Sequence, residues 1–237
     1  MDFTHLITGI QKRFATLNKV VNISDCLLCE SHITQSRIGL LCHVCYQDLI
    51  RYPLGFDILK HNPNLAAQIQ HEYVDGYACI AKFQWPYDIL IKQLKYGKKL
   101  NRARTLGGLL AEHVLQTDWP AIDYICPLPL HVNKQAQRGF NQSEVISLFV
   151  KKDLDVTLFK GLTRIKNTRT QTELNRKERM ANVKNAFSCN KELQSKRILL
   201  IDDVLTTGAT LEQAGKALKL CGAKQVFAAT IAVRPLS

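Results

Sequence analysis

Leu200-Ile201-Asp202-Asp203-Val204-Leu205-Thr206-Thr207-Gly208-Ala209-Thr210 follows the apolar start Arg197-Ile198-Leu199. The apolar run predicts a buried strand over 197–201, and the periodicity of residues 211–220 predicts a helix ending at Cys221-Gly222. Ligands of parallel α/β sheets bind at the carboxyl ends of strands, so the segment between these elements lies where chemistry is expected. Small residues at 206–210 let successive backbone N–H groups turn toward one anion, and Gly208 permits positive φ or a close approach. Thr206, Thr207 and Thr210 add hydroxyl donors, and the helix N-terminus adds its dipole. Asp202 and Asp203 would repel a bare phosphate; they suit neutral hydroxyls such as a ribose 2′,3′-diol, with Mg²⁺ on a pyrophosphate offsetting further charge. The run therefore reads as a sugar-phosphate site. It fits neither the P-loop nor the dinucleotide glycine pattern. An ordinary capped helix is the alternative; either aspartate alone would fit it, but the nine-residue run after a buried strand is more specific.

Working outward, residues 226–233 form another apolar strand, closing a βαβ unit. Upstream, 77–83 reads as a strand, followed after Pro86 by a helix through Ile89, Leu90, Ile91 and Leu94. A second helix is expected from about 104 to 114, then a short buried strand at 122–126 stopped by Pro127 and Pro129. Strands alternating with helices imply a parallel sheet. At the start, Phe3, Leu6, Ile7, Ile10, Phe14 and Leu17 recur at helical spacing. The polar face of that helix is not especially basic, which favours docking on its own protein over a membrane.

Cys26-Leu27-Leu28-Cys29 and Cys42-His43-Val44-Cys45 are two C-x₂-C knuckles separated by twelve residues. Four thiolates suit a closed, structural zinc site, with His32 and His43 as alternative ligands. Disulfides or free thiols are the competing reading; the absence of an apolar leader and the presence of Lys12, Arg13 and Lys19 favour a reduced cytoplasmic protein and hence zinc. Cys79, Cys126 and Cys221 read as small core residues, and Cys189 has no evident partner.

A chain of 237 residues, 46% of them hydrophobic, suffices for one α/β core plus a small module. The expected division is an amphipathic helix at 1–24, a zinc module at 25–60 and the α/β domain at 70–237. No run approaches the roughly 18 apolar residues of a membrane span, so membrane association would be peripheral. The formal charge is +12, and residues 131–197 hold 15 of the 32 basic residues against 6 acidic ones. With Phe140, Phe149, Phe159 and Phe187 interleaved, that segment has the composition of a groove for single-stranded nucleic acid, although the same charges would also suit a pyrophosphate.

The segment 200–210 resembles the phosphoribosyl pyrophosphate signature of type I phosphoribosyltransferases. Leu94-Lys95-Tyr96, Cys126-Pro127-Leu128-Pro129-Leu130, Arg138-Gly139-Phe140-Asn141-Gln142, and Thr170-Gln171 with Arg176, Arg179, Asn182 and Ala186-Phe187 narrow the resemblance to the ComF family. That family pairs this fold, a parallel sheet with helices on both faces, with an N-terminal zinc module, and takes part in natural DNA uptake in bacteria. The resemblance covers nearly everything from Cys26 onward. It implies that Asp202 and Asp203 hold the ribose diol, that Thr206, Thr207, Gly208, Ala209 and Thr210 hold the 5-phosphate, and that Lys95 and Tyr96 lie near the pyrophosphate. It also implies that Arg138, Gly139, Phe140, Asn141 and Gln142, with Arg164, form a flap; Arg164, Arg176 and Arg179 read equally as surface charge. The implied function is a factor that binds phosphoribosyl pyrophosphate and meets single-stranded DNA or the uptake machinery at the inner membrane. A true phosphoribosyltransferase and a ligand-dependent sensor are the alternatives, since no acceptor pocket is evident and turnover does not follow from donor-site motifs.

Overall fold

The computed structural model describes residues 25–33, 36, 38–166 and 183–234. The helix expected over 1–24, and Thr170, Gln171, Arg176, Arg179 and Asn182, lie outside the described residues. The chain divides into two compact units, Met1–Asp48 and Leu49–Ser237.

In the smaller unit, Cys26 N donates to Ser31 O at 2.9 Å and Leu27 N to Leu40 O at 2.9 Å, folding the first knuckle into a tight turn. The second knuckle opens the short helix α1, His43–Gln47, whose N-cap is Cys42.

The larger unit begins with helices α2 (Ile58–His61) and α3 (Pro63–Ala66), then β1 (Gly76–Lys82), α4 (Tyr87–Lys95), α5 (Asn101–Leu115), β2 (Tyr124–Pro127), α6 (Val132–Arg138) and α7 (Gln142–Leu154). Next come β3 (Thr157–Leu158), β4 (Leu162–Arg164), β5 (Phe187–Cys189), β6 (Arg197–Leu205), α8 (Ala209–Leu220) and β7 (Gln225–Val233). The main sheet has the order β1-β7-β6-β2-β3, with every pairing parallel. β4 and β5 form a separate antiparallel pair. Ile198, Leu199, Leu200 and Ile201 are all fully buried, as a central parallel strand covered on both faces requires. Ile198 and Leu200 pack with Leu211, Ala214 and Leu218 of α8 and with Ile58 and Leu65. α5 and α7 pack on each other and against the sheet. Each fully buried Leu or Ile contributes about 1.5–3 kcal/mol.

Two boundaries differ from the sequence reading. β6 does not stop at Ile201: the ladder to β7 continues through Asp202↔Thr230, Val204↔Ala232 and Leu205↔Val233, because backbone pairing does not require apolar side chains. The acidic pair therefore sits on a strand, not in a loop. Residues 49–60, expected within the zinc module, cluster with the larger unit. Asp57 (2% exposed) accepts from Tyr77 N at 3.1 Å and Trp119 Nε1 at 2.8 Å, and Tyr52 N donates to Ile80 O at 2.8 Å. No described helix is long and apolar enough to cross a membrane.

Candidate functional site

Beyond β6 the chain turns through Thr206 and Thr207 to Gly208, which has φ +74° and starts α8 without a side-chain cap. A β-carbon at Gly208 would lie 2.9 Å from Gln70 O, so both backbone conformation and space demand glycine here. The helix N-terminus opens onto a shallow cleft lined by Asp202, Thr206, Gly208, Ala209 and Thr210, among others. Thr207 is different. It is 3% exposed and its Oγ1 accepts from Ala209 N at 3.4 Å, so its hydroxyl serves the helix end from inside the protein.

The loop is backed by residues that the sequence reading did not single out. Glu212, in the first turn of α8 and 2% exposed, accepts from Glu72 N at 3.0 Å, Tyr73 N at 2.9 Å and Val74 N at 3.1 Å. Tyr77 Oη lies 2.7 Å from Gln70 O and 3.1 Å from Glu212 Oε1, and donates to one at a time. Gln70 N in turn donates to Thr207 O at 3.0 Å. A buried carboxylate thus fastens the segment 70–74 behind the anion loop, at a separation of about 140 residues in sequence. Its one local clue is its place on the small, buried side of α8 beside Leu211 and Gly215; an acid in a first helical turn otherwise reads as dipole compensation.

The two aspartates have distinct partners. Asp202 Oδ1 accepts from Ser143 Oγ at 2.9 Å, at the start of α7. Burial, and then the charge of Asp203, push the Asp202 carboxyl up to about 7, against the pull of Lys95 and Ser143. Asp203 is 3% exposed and ion-paired with Lys95 at the end of α4. Lys95 is therefore brought to the acidic pair, while its neighbour Tyr96 is exposed and has the Arg138 guanidinium 5.6 Å over its ring.

The segment expected to be a flap is a helix-to-helix corner. Gly139 caps α6 in the left-handed region, and Asn141 caps α7 while donating to Leu128 O at 3.0 Å. Phe140, Asn141 and Gln142 are buried, and Arg138 Nη1 donates to Gln142 Oε1 at 2.8 Å. Arg164 of β4 lies 5.4 Å over Phe187; burial lowers its pKa, against the raising effect of Asp202. The aromatic groove expected over 140–187 is corrected by burial: Phe140, Phe159 and Phe187 are only 7–8% exposed and belong to the packed interior.

In the smaller unit the sulfurs of Cys26, Cys29, Cys42 and Cys45 all lie within 4.8 Å of one another. Cys29 Sγ and Cys42 Sγ are 3.7 Å apart, close to the edge of about 3.8 Å that a tetrahedron with 2.3 Å metal–sulfur bonds requires. Cys42 N approaches Cys26 Sγ at 3.5 Å and Cys45 N approaches Cys42 Sγ at 3.4 Å, contacts that favour thiolate. Hydrogen bonds from Ser31 lower Cys29 to about 6, whereas burial and the neighbouring thiols raise Cys45. A cation bound by all four would displace the remaining protons. The donor set fits a metal ion. The other cysteines are free; Cys79 and Cys126 are buried, and Cys221 Sγ reaches Cys189 O at 3.2 Å.

Comparison with known proteins joins these observations. The family described as Phosphoribosyl transferase domain matches residues 143–236. Competence protein F of Haemophilus influenzae is 30% identical over 216 residues, covering 85% of this chain and 93% of that protein. The chain belongs to the ComF family. The ComF relationship extends to DNA utilization protein YhgH of Salmonella typhi, 32% identical over 152 residues with 62% of this chain and 67% of that protein covered. It also extends to Competence protein ComFC of Streptococcus pneumoniae, 35% identical over 101 residues with 42% and 43% covered. In this ComF chain the transferase match opens at Ser143, the donor to Asp202, and runs past β7. The fold is a parallel-sheet α/β fold of phosphoribosyltransferase type preceded by a four-cysteine cluster.

Proposed function

We propose that this protein binds phosphoribosyl pyrophosphate with Mg²⁺ at the carboxyl end of β6 and serves the uptake and handling of single-stranded DNA in natural transformation. The observation that carries the ligand assignment is an acidic pair near the carboxyl end of a central parallel strand, followed within three residues by a helix N-terminus at Gly208. The ribose diol donates to Asp202, and to Asp203 once Lys95 turns from that carboxylate toward the pyrophosphate beside Tyr96. Thr206, Gly208, Ala209 and Thr210 receive the 5-phosphate, with Thr207 contributing backbone. Mg²⁺ supplies charge neutralisation on the pyrophosphate. Arg138 and Arg164 bring positive charge over the ligand, and the corner Gly139–Gln142 carries Arg138. The DNA role is supported by relatives named competence protein and DNA utilization protein.

In the small unit, the four cysteines hold zinc as a structural ion, which fits a reducing cytoplasmic setting. The protein would meet the uptake machinery from the inner face of the membrane.

The test is calorimetric titration of phosphoribosyl pyrophosphate with Mg²⁺ into the wild type and the Asp202→Asn/Asp203→Asn protein, with pyrophosphate release measured for each common nucleobase. Binding that needs the aspartates, without release, supports the stated function. Base-dependent release would make the protein a phosphoribosyltransferase, and absence of binding would overturn the ligand.

A further inference from the structure

We propose that single-stranded nucleic acid runs along the outer face of α4 and the corner that follows it, with bases on Trp85 and Tyr96 and phosphates on Lys98 and Lys99. The proposal rests on the DNA reading above and names the surface that would carry it. α4 buries Tyr87, Leu90, Ile91 and Leu94. Its opposite face should then be polar, yet Ile89 is 41% and the C-cap Tyr96 71% exposed, and Trp85, in the turn before the helix, is 58% exposed. Ile89, Lys92 and the C-cap Tyr96 recur at the spacing that aligns side chains along one side of a helix, and Trp85 stands in the turn just before its N-terminus.

Cations accompany the rings. The Arg138 guanidinium lies 5.6 Å over Tyr96, and at the other end of the stripe Phe83 has the Arg234 guanidinium at 4.3 Å and the Lys92 ammonium at 6.0 Å. From residue 89 to 104 the chain carries Lys92, Lys95, Lys98, Lys99, Arg102 and Arg104 and no acidic residue. Asp88, the acid just before that run, is engaged by Lys92 at 2.8 Å. Tyr96, Gly97, Lys98 and Lys99 are consecutively exposed.

Exposed rings among uniformly positive side chains match a ligand with π-faces and a phosphate backbone; a surface for an ordinary protein partner would mix its charges more evenly. The path also adjoins the phosphoribose cleft. Phe83 follows β1, and Arg234 follows β7 and donates its N–H to Leu205 O at 2.8 Å, one residue before Thr206.

The test uses the full chain and oligothymidylate, read by tryptophan fluorescence and by the salt dependence of binding. A base stacked on Trp85 quenches its emission; Trp119, which stacks on Phe227 and is less exposed, is the internal reference. Trp85→Ala should weaken binding about tenfold, while Trp85→Phe should keep affinity and lose the quench. Lys98→Glu with Lys99→Glu should lower the slope of log K against log salt by about 1.4, from roughly 0.7 per phosphate contact on a single strand. Affinity for Mg²⁺–phosphoribosyl pyrophosphate and the melting temperature should stay at wild-type values in these variants. If the wild type binds the oligomer and every variant binds it equally, the strand lies elsewhere, the stripe passes to a protein partner and the proposal fails. If the wild type binds no single strand, the DNA function fails with it.

Discussion

The four-cysteine unit and the phosphoribosyltransferase-type unit differ in what their described residues bury. In the first, the described buried hydrophobic side chains are Cys26, Leu41 and Tyr46, and four sulfurs lie within 4.8 Å of one another. In the second, strands β6 and β7 alone bury more than a dozen residues, and the polar groups at their carboxyl ends are fastened by the elements around them. With few buried side chains among its described residues, such a unit is one that a bound ion would stabilise. A unit with a full core can tolerate a carboxylate held under strain, because burial elsewhere offsets its cost. On the proposed reading, an ion would hold the first region together, while the charges of the second would serve a ligand.

The sharpest way to break this contrast is to remove the ion. Cys26→Ser, or chelation, should empty the metal site and melt the small unit, since structural zinc supplies on the order of 10 kcal/mol to a small module. The main transition of the larger unit and its affinity for phosphoribosyl pyrophosphate should survive. Metal analysis and calorimetry read both; unchanged metal content and stability would show that the cluster is not the small unit's support.

In the larger unit the aspartates should trade stability for binding. Replacing both by asparagine should weaken the ligand by roughly 10–100-fold, as expected for lost charge-assisted hydrogen bonds of about 1.5–3 kcal/mol. Because Asp202 titrates at about 7 in the fold and near 3.9 unfolded, its contribution to stability is greatest in acid and is lost as pH rises from about 4 through 7. Asp202→Asn should therefore melt above the wild type at pH 8, with the difference closing toward pH 4. Ligand affinity of the wild type should move the other way, falling below about pH 7 as the accepting carboxylate takes up its proton. A melting temperature for Asp202→Asn below that of the wild type at pH 8 would contradict the burial argument.

Glu212 tests whether the rear of the anion loop matters to its front. Glu212→Gln keeps the shape but turns an amide N–H₂ toward backbone N–H groups of residues 72–74, a loss of about 1–3 kcal/mol. It should also weaken ribose 5-phosphate binding more than ribose binding. Equal losses for both ligands would mean that Glu212 supports only the fold.

The smallest expected effect lies at His113. It is fully buried, and burial lowers its pKa against the raising effect of the contact between Nε2 and Phe56 O at 3.1 Å. The unfolded chain takes up a proton below about pH 6.5 that the folded one resists. In the Asp202→Asn background, the urea midpoint should fall as pH drops below that value, and His113→Gln should flatten the decline.

Much of this was legible along the chain. The apolar run 198–201 and the small, hydroxylated loop after it mark a strand, an anion turn and a helix because periodicity and glycine requirements are local. The paired C-x₂-C knuckles are legible for the same reason. Phe140, Phe159 and Phe187 misled: a phenylalanine among lysines looks like a stacking platform until its burial is known. The strand end at Leu205 was missed because two adjacent charges interrupt an apolar pattern without interrupting a hydrogen-bond ladder.

By itself, the sequence determined the α/β alternation, the presence of the acidic pair and the four-thiol donor set, all encoded in residues close together along the chain. Only the tertiary structure decided that Lys95 faces Asp203, that Ser143 faces Asp202, that Glu212 anchors residues 72–74 and that Trp85 and Tyr96 stay bare. Those relations join residues from different elements, and a charge or ring shows its environment only once folding has brought its neighbours together.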